Sequence, residues 1–577
     1  MRRRSIGAEA GADGVSFRVW APAHERVAVV IDGRDFPLER EARGYFSGLV
    51  TGAGAGTLYK IRAGDGAYPD PASRFQPDGV HGPSEVIDPQ FAWREWRGVQ
   101  LKDAVIYEMH IGTFTAEGTY AAAVRHLDAL AQLGITILEL LPLHDFPGRF
   151  GWGYDGVDLW APTRLYGRPE ELRRFVDEAH ARGLAVILDV VYNHFGPDGC
   201  YLRQFTPHYF TDRYENDWGD SVNFDGQEAH GVREFVAENA AYWIDEFHFD
   251  GLRADATQSI FDQSEPHILR EIRDRAPGLI VAENEPQDTR LLREFGFDAM
   301  WNDDWHHAAL VAATGRSEAY YTDYRGRAQE FAAMAKLGFL YQGQRYKWQK
   351  QRRGTPSYDI APERLVCYLQ NHDQVANSGT GARLGDLTSP GRLRALTALL
   401  LLQPQTPMLF QGQEFGARSP FLFFADHEPE LAKLVRKGRR EFLNQFPSLR
   451  GAELDPPDDE ATFLKSKLDH TRRDEEIVAL HRELLALRRQ QPFGARLEGA
   501  ALSDDCLALR WLGDDQRLLI VNLGRQLDLD PAPEPLLAPP RGFRRWKTVW
   551  SSEAMPEPDS EEHWRIAGEA AVLLKPA

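Results

Sequence analysis

Carboxylates occur in four apolar runs in the middle of the chain, at or just beyond the point where each run ends. They are Asp189 in residues 189–194, Asp255 in 251–256, Glu283 after 279–282, and Asp373 in 370–374. A single acidic residue after a strand is commonly the N-cap of the next helix, but four of them beside an arginine and two histidines are poorly explained in that way. Glycosidic bonds are cleaved by pairs of carboxyl groups, one acting as nucleophile and one as proton donor. The pattern therefore predicts cleavage of glycosidic bonds.

The alternative use of these residues is a metal site. Asp189, His194, His372 and Asp373 are all of ligand type, but no His-x-x-x-His pair or comparable spacing occurs among them. The three cysteines (Cys200, Cys367 and Cys506) are odd in number and scattered, which argues against a disulfide framework and against a cysteine metal cluster. We therefore predict no metal and no cofactor.

Groups so far apart in sequence can meet only if the fold brings the ends of their runs together. Eight short apolar runs alternate with helical stretches, among them 120–133 and 170–182; the runs are 105–110, 135–142, 185–193, 251–256, 279–285, 297–302, 365–371 and 406–412. This rhythm predicts an α/β fold, a (β/α)8 TIM barrel whose catalytic groups lie at the carboxyl ends of the strands. A doubly wound open sheet is the rival, but it requires a glycine-rich phosphate turn that the sequence lacks.

Strand-like segments flank the barrel on both sides. Residues 15–20 and 26–31 indicate an N-terminal β-sandwich over 1–95, and 507–511, 517–522 and 571–574 indicate a C-terminal β-sandwich over 491–577. The catalytic barrel then occupies 96–490, with an insertion at about 195–228 after strand three. A loop of this length is uncommon unless it is functional.

Composition excludes several other classes of protein. With 67 Lys and Arg against 86 Asp and Glu, the net charge of −19 disfavours a nucleic-acid partner. No apolar stretch approaches the length of a membrane span, and the basic residues 2–4 are not followed by the apolar segment of a signal peptide. We expect a cytoplasmic protein without a membrane partner.

The four motifs, in their order and spacing, resemble the four signature regions of the α-amylase superfamily, glycoside hydrolase family 13. The resemblance implies that Asp255 is the nucleophile, Glu283 the general acid/base, and Asp373 the third carboxylate that binds the sugar ring. Arg253 lies two residues before Asp255, where its charge would keep that carboxyl ionised. Glu285 is a competitor for the acid, because alternation along a strand puts 283 and 285 on one face; the family pattern favours Glu283.

The same resemblance implies a set of substrate-binding side chains. His194 and His372 would bind hydroxyls of the glucose at the cleavage point, and Tyr154 would be the aromatic platform beneath it. Asp189, Thr257 and Gln258 belong to the same motifs. Asn193 occupies the position that binds calcium in many α-amylases, which leaves a structural cation open.

Further stretches resemble one branch of the superfamily, the maltooligosyltrehalose trehalohydrolases. They include residues 107–114, 302–307, 338–344, 370–377 and 420–427. This implies hydrolysis of the α-1,4 bond next to the terminal trehalose of maltooligosyl trehalose. The segments after strands six and seven would line the substrate groove; their residues are Asp303, Asp304, Trp305, His306, His307, Gln374 and Asn377. Helix capping by Asp303 and Asp304 is an equal alternative for that pair.

The branch implies a pathway partner, maltooligosyltrehalose synthase, without a physical complex. Two other functions stay open from sequence alone. A glycogen branching enzyme is the nearer one, although it would be expected to have Glu where this chain has Gln374. A non-catalytic glucan-binding protein is the other, and it would be expected to lack one of the three carboxylates.

Overall fold

The computed structural model describes residues 2–553 and 563–577. Met1 and residues 554–562, part of the predicted C-terminal sandwich, lie outside the described residues. The chain begins with two antiparallel sheets, ordered β1-β2-β6-β5 and β4-β3-β7-β8, with β9 also paired to β7. Their strands are β1 (Gly7–Gly11), β2 (Gly14–Trp20), β3 (Val27–Ile31), β4 (Arg34–Pro37), β5 (Glu39–Arg40), β6 (Tyr45–Val50), β7 (Leu58–Ala63), β8 (Gly66–Tyr68) and β9 (Ser84–Glu85).

The middle of the chain forms a closed barrel of eight parallel strands, as predicted. Its order is β10-β11-β14-β17-β18-β19-β22-β23, so every strand pairs with the next barrel strand along the chain and β23 closes on β10. The strands of this region are β10 (Ile106–Met109), β11 (Ile137–Leu140), β12 (His144–Asp145), β13 (Asp158–Pro162), β14 (Ala185–Val190), β15 (Phe210–Thr211), β16 (Ser221–Val222), β17 (Gly251–Ala254), β18 (Leu279–Ala282), β19 (Ala299–Trp301), β20 (Arg345–Tyr346), β21 (Gln351–Arg352), β22 (Leu365–Tyr368) and β23 (Thr406–Phe410).

Helices connect the barrel strands. They are α1 (Ile111–Phe114), α2 (Tyr120–Val124), α3 (Leu127–Leu133), α4 (Pro169–His180), α5 (Leu202–Phe205), α6 (Ala229–Phe247), α7 (Ile268–Arg275), α8 (Arg290–Arg293), α9 (Asp303–Thr314), α10 (Ala328–Leu337), α11 (His372–Ala376), α12 (Leu384–Leu387), α13 (Pro390–Leu402), α14 (Pro429–Leu443), α15 (Glu460–Lys465) and α16 (Glu475–Arg488). The segment predicted as one helix over 120–133 is two helices. Between them the N–H groups of Arg125 and His126 donate to carbonyls three residues earlier, which tightens the chain into a 3₁₀-like turn.

The insertion after β14 contains α5, β15 and β16 before α6 begins at Ala229. It is tied back to the barrel, since the Asn216 side chain donates to the backbone carbonyl of Asn193 at 2.9 Å. Among the described residues, no helix combines the length and apolar character needed to cross a membrane.

The C-terminal part returns to antiparallel sheet. Five strands are ordered β24-β25-β26-β30-β28, and β27 pairs with β29. Their bounds are β24 (Arg496–Ala501), β25 (Cys506–Leu512), β26 (Arg517–Asn522), β27 (Leu527–Leu529), β28 (Trp546–Ser551), β29 (Trp564–Ile566) and β30 (Ala570–Pro576). One face of β25, β26 and β30 packs into a core of its own with Trp546 and Trp564, and the opposite face of these strands joins the main core.

Candidate active site

The barrel interior is built in two layers, one apolar and one polar. Ile106, Ile137, Ile187 and Val281 share one buried cluster inside the strands. Side chains two residues further along a strand point to the same face, and those positions are Glu108, Glu139 and Asp189; Glu283 follows directly after β18. The apolar layer therefore closes the bottom of the barrel, and the charged layer lies above it at the carboxyl end.

Arg253 joins the two carboxyl groups predicted to do the chemistry. Its Nη1 donates to Oδ1 of Asp255 at 2.7 Å, and its Nη2 lies 2.9 Å from Oε2 of Glu283. The guanidinium is fully enclosed and lies over the Trp301 ring at 4.2 Å. Because Asp255 and Glu283 directly follow β17 and β18, which are neighbours in the barrel, the pairing of those strands fixes the two carboxyl groups side by side.

Glu283 is placed as a proton donor requires. Burial raises the pKa of its carboxyl, with Asp255 adding to the rise and Arg253 opposing it. Its Oε2 accepts a hydrogen bond from the backbone N–H of Ala256 at 2.9 Å, which fixes the direction of the carboxyl. A raised pKa shifts the loss of this proton toward higher pH, which is the direction that general acid catalysis needs.

Asp189 binds the same nitrogen of Arg253 as Asp255 does. Both of its oxygens accept from Nη1 of Arg253, at 2.9 and 2.8 Å, and Oδ2 also accepts from the Tyr154 hydroxyl at 2.5 Å. The Tyr154 ring stacks on His372 with centroids 5.1 Å apart and planes 16° from parallel. Asp189 thus orients both the central arginine and the aromatic ring.

His372 and Asp373 begin α11, directly above the carboxyl end of the barrel. The Nδ1 of His372 lies 2.6 Å from Oε1 of Glu108, and its Nε2 lies 3.4 Å from Oδ2 of Asp373. Burial disfavours the charged ring, but the carboxylates of Asp373 and Glu108 together raise the pKa of His372 to about 9. The histidine is therefore an imidazolium at neutral pH, and the Asp373 side chain beside it is 40% exposed to the groove.

Asn193 supports the other oxygen of Asp255. Its Nδ2 donates to Oδ2 of Asp255 at 2.8 Å, and its Oδ1 contacts Nδ1 of His194. Burial lowers the pKa of His194, and its ring stacks on Trp218 of the insertion with centroids 6.0 Å apart. Among the described residues, no group of three or more His, Cys, Asp or Glu is arranged to bind a metal ion.

Thr257 and Gln258 act on the backbone that carries Glu283. Thr257 donates from its hydroxyl to the Glu283 carbonyl at 2.6 Å, and Gln258 accepts from the Glu285 N–H at 3.3 Å. The prediction that Glu283 and Glu285 share a strand face is wrong, because β18 ends at Ala282 and neither residue lies in the strand. Glu285 turns away from Arg253 and pairs with Arg353.

Arg353 is the centre of a second charged cluster beside the first. It is fully enclosed, its Nε lies 3.1 Å from Oδ1 of Asp304, and Asp303 lies 3.9 Å from its Nη2. Burial raises the pKa of Asp303 to about 7, although Arg353 opposes the rise. The Tyr368 hydroxyl also donates to Asp303.

Helix α9 separates the residues predicted to line the groove. Its N-cap is Asn302, not Asp303 or Asp304. Asp304 is completely buried and accepts from the Tyr324 hydroxyl and from the N–H groups of Leu340 and Tyr341. Trp305 is equally buried and donates to Gln403 at 2.9 Å. Successive helix residues point about 100° apart, so Asp304 and Trp305 need not face the same way as Asp303. Because both side chains are completely buried, they support the site from inside and do not face the groove.

The other residues predicted to line the groove contact neighbouring side chains. His306 stacks on Tyr368 at 5.3 Å, and His307 packs against Tyr320, Tyr321 and Tyr324. Gln374 accepts from the hydroxyls of Tyr320 and Tyr321 at 3.0 and 2.6 Å. The Asn377 side chain accepts from Arg439 at 2.8 Å. These four residues are committed to protein contacts around α9 and α11.

Sequence reasoning missed three residues of this site and gave a fourth, Asn193, a different role. Glu108 and Asn193 bind predicted residues directly, Arg353 neutralises a buried carboxylate, and the exposed Trp218 stacks on His194. A charged residue inside an apolar run is the signal that marks Glu108. The pairing of Arg353 with residues some 50 positions earlier leaves no mark in the local sequence.

Comparison with known protein families identifies two parts of the chain. Residues 91–223 match the family model described as alpha amylase, catalytic domain. Residues 494–573 match a domain of unknown function, DUF3459.

Relatives that align with most of the chain indicate its family more narrowly than these domain models do. A malto-oligosyltrehalose trehalohydrolase of Deinococcus radiodurans is 41% identical over 538 residues, covering 89% of this chain and 88% of the relative. Its counterpart in Saccharolobus solfataricus is 40% identical, covering 84% and 87%. A crystal structure from Salmonella typhimurium, assigned as an α-amylase, superposes with a TM-score of 0.90 at 35% identity over all of both chains. A branching enzyme of Leifsonia xyli is 30% identical, covering 72% of this chain and 61% of the relative.

Proposed function

This chain belongs to the malto-oligosyltrehalose trehalohydrolases of the α-amylase family, and from this premise we propose that Asp255, Glu283 and Asp373 perform its reaction. The enzyme hydrolyses the α-1,4 bond between a maltooligosaccharide and a terminal trehalose. The observation that supports the assignment most directly is the shared contact of Asp255 and Glu283 with Arg253.

In the first step, a carboxylate oxygen of Asp255 attacks the anomeric carbon and forms a glycosyl ester. Glu283 gives its proton to the glycosidic oxygen, so trehalose leaves as a neutral alcohol. Arg253 and Asn193 hold the Asp255 carboxyl in a fixed orientation, because both donate to its oxygens.

In the second step, Glu283 accepts a proton from water, and the resulting hydroxide oxygen replaces Asp255 at the anomeric carbon. Two displacements give net retention of configuration, which requires the two carboxyl groups about 5–5.5 Å apart. Asp373 accepts hydroxyls of the glucose ring, and its partial exposure to the groove suits that role.

Tyr154 provides the flat face beneath that glucose, and His194 and His372 contribute polar atoms around it. Since Nδ1 of His372 is bound to Glu108, only Nε2 of that ring is directed toward Asp373 and the groove. Trp218 presents a further ring, 61% exposed, above His194. Flat rings of this kind stack well on sugar faces.

The substrate, maltooligosyl trehalose, must be made by an enzyme that converts the reducing end of a maltooligosaccharide into trehalose, a maltooligosyltrehalose synthase. We propose that both work in the cytoplasm and exchange a free carbohydrate, with no stable complex required.

The function is tested by incubating the enzyme in parallel with maltotriosyl trehalose and with maltopentaose and separating the products. We expect trehalose and maltotriose from the first and little change in the second. Equal cleavage of both would make the enzyme a general α-1,4-glucanase. New α-1,6 branches on amylose would make it a branching enzyme.

A further inference from the structure

Glu108 is a buried carboxylate that the reaction as described does not use. It lies on β10 and is 1% exposed. Its Oε1 lies 2.6 Å from Nδ1 of His372, and its Oε2 accepts from the backbone N–H of His372 at 3.0 Å. Both oxygens of one side chain therefore bind the first residue of α11, the helix that carries Asp373.

The His372 ring has no freedom to turn within this arrangement. One nitrogen is bound to Glu108 and the other faces Asp373, while Tyr154 stacks on the ring and Trp152 meets it edge-on with centroids 5.3 Å apart. The charged and titratable groups around the ring come from several elements. They are Glu108 on β10, His110 directly after β10, Glu139 on β11, Arg253 on β17, Glu283 after β18, and Asp373 on α11 itself.

Glu139 provides an internal comparison. It lies directly opposite Glu108 in the register of β10 and β11 and is equally buried. Burial, reinforced by the charge of Glu108, raises the pKa of Glu139 well above its ordinary value. Among the described residues its Oε2 has no hydrogen-bond partner. Glu108 is thus bound to the His372 ring, whereas the carboxyl of Glu139 has a strongly raised pKa.

We propose that Glu108 is a positioning residue for the reaction: it fixes the ring of His372 and keeps it as an imidazolium beside Asp373 and Glu283. The positive ring holds Asp373 toward the sugar and offsets part of the negative charge of the site. The inference rests on the proposed function for its catalytic consequence, but the state of His372 is a property of the folded protein alone.

The first test is therefore independent of activity. The imidazole signals of His372 are titrated by NMR in the full chain, assigned by comparison with His372→Gln, in the wild type and in Glu108→Gln and Glu139→Gln. In the wild type we expect a pKa near 9. Glu108→Gln is expected to lower the proton affinity of the ring at least about tenfold, since a neighbouring carboxylate shifts such a group by one unit or more. Glu139→Gln replaces a carboxyl whose pKa is strongly raised by an amide of similar shape and should leave the proton affinity of the ring unchanged.

The second test is the pH dependence of turnover on maltotriosyl trehalose. Glu108→Gln should lower kcat at least about tenfold near neutral pH with a smaller change in KM. The deficit should shrink as pH falls through the reduced pKa of His372, because the ring is protonated again below it. A purely structural defect would not recover in this way.

An ordinary pKa of His372 in the wild type would overturn the proposal, even if the Gln variant did not fold. So would equal effects of the Glu108 and Glu139 substitutions, or a lowered His372 pKa with unchanged turnover. A wild type that is inactive on the substrate but has the raised His372 pKa would instead refute the proposed function and leave the Glu108–His372 pair intact.

Discussion

Asp255 and Glu283 contact the two terminal nitrogens of a single guanidinium, that of Arg253, at 2.7 and 2.9 Å. The shared cation resolves a conflict within the site. Two carboxylates side by side repel each other, and one then retains its proton. Arg253 limits that repulsion, while burial and the charge of Asp255 raise the pKa of Glu283. The direction of this shift suits the proton-donor role proposed for Glu283.

The roles proposed for Asp255 and Glu283 predict that substituting either residue abolishes most of the turnover. Asp255→Asn removes the nucleophile and Glu283→Gln removes the transferable proton, and each should lower turnover by about 10³-fold or more while the fold is kept. Steady-state kinetics measures the turnover of both variants, and circular dichroism checks that both are folded. Glu285→Gln is the control for the acid, since Glu285 pairs with Arg353, and it should retain turnover within about tenfold. Near-normal activity of Glu283→Gln would remove it from the acid role.

The raised pKa of Glu283 predicts the alkaline side of the pH profile. The acid is active only when protonated, so kcat/KM is lost as pH rises through its pKa in the free enzyme. Since burial raises that pKa, the alkaline limb should lie above the ordinary glutamic acid value of about 4.3. The measurement is kcat/KM against pH over the range where the protein stays folded. An alkaline limb at the ordinary carboxyl value would contradict the assignment.

The Tyr154 hydroxyl is predicted to matter apart from its ring. Tyr154→Phe keeps the stack on His372 and removes the 2.5 Å hydrogen bond to Asp189. A hydrogen bond to a charged group is worth about 1.5–3 kcal/mol, so kcat/KM should fall about ten- to a hundredfold. Tyr214→Phe removes a 2.5 Å Tyr–Asp bond in the insertion and serves as the control, with little change expected. Equal kinetics for both variants would show that the hydroxyl of Tyr154 has no role.

Arg353 is predicted to stabilise the protein. Arg353→Ala leaves the completely buried Asp304 without its cation, and breaking a buried pair in this way costs about 3–5 kcal/mol of the free energy of unfolding. Arg352→Ala, at the exposed neighbour, should cost less than about 0.5 kcal/mol. Urea unfolding of the two variants gives the comparison. A similar cost for both would place the stabilisation of Asp304 elsewhere.

The barrel and the central carboxylates are predictable from sequence because both depend on local pattern. The eight apolar runs coincide with the eight barrel strands, and Asp255 and Glu283 follow β17 and β18 directly. Where a side chain points beyond a strand end is less predictable. Asp304 and Trp305 follow β19 as closely as Asp303 does, yet helix geometry turns both inward. Glu108 and Arg353 depend on partners 264 and 49 residues away, which no local pattern encodes.

The most direct test of the account is one NMR time course of maltotriosyl trehalose hydrolysis, recorded before the product sugar mutarotates. We predict that trehalose appears in equal amount to maltotriose and that the new reducing end is first the α-anomer, as a double displacement by Asp255 and Glu283 requires. A reducing end that is first the β-anomer, or hydrolysis without trehalose release, would contradict it.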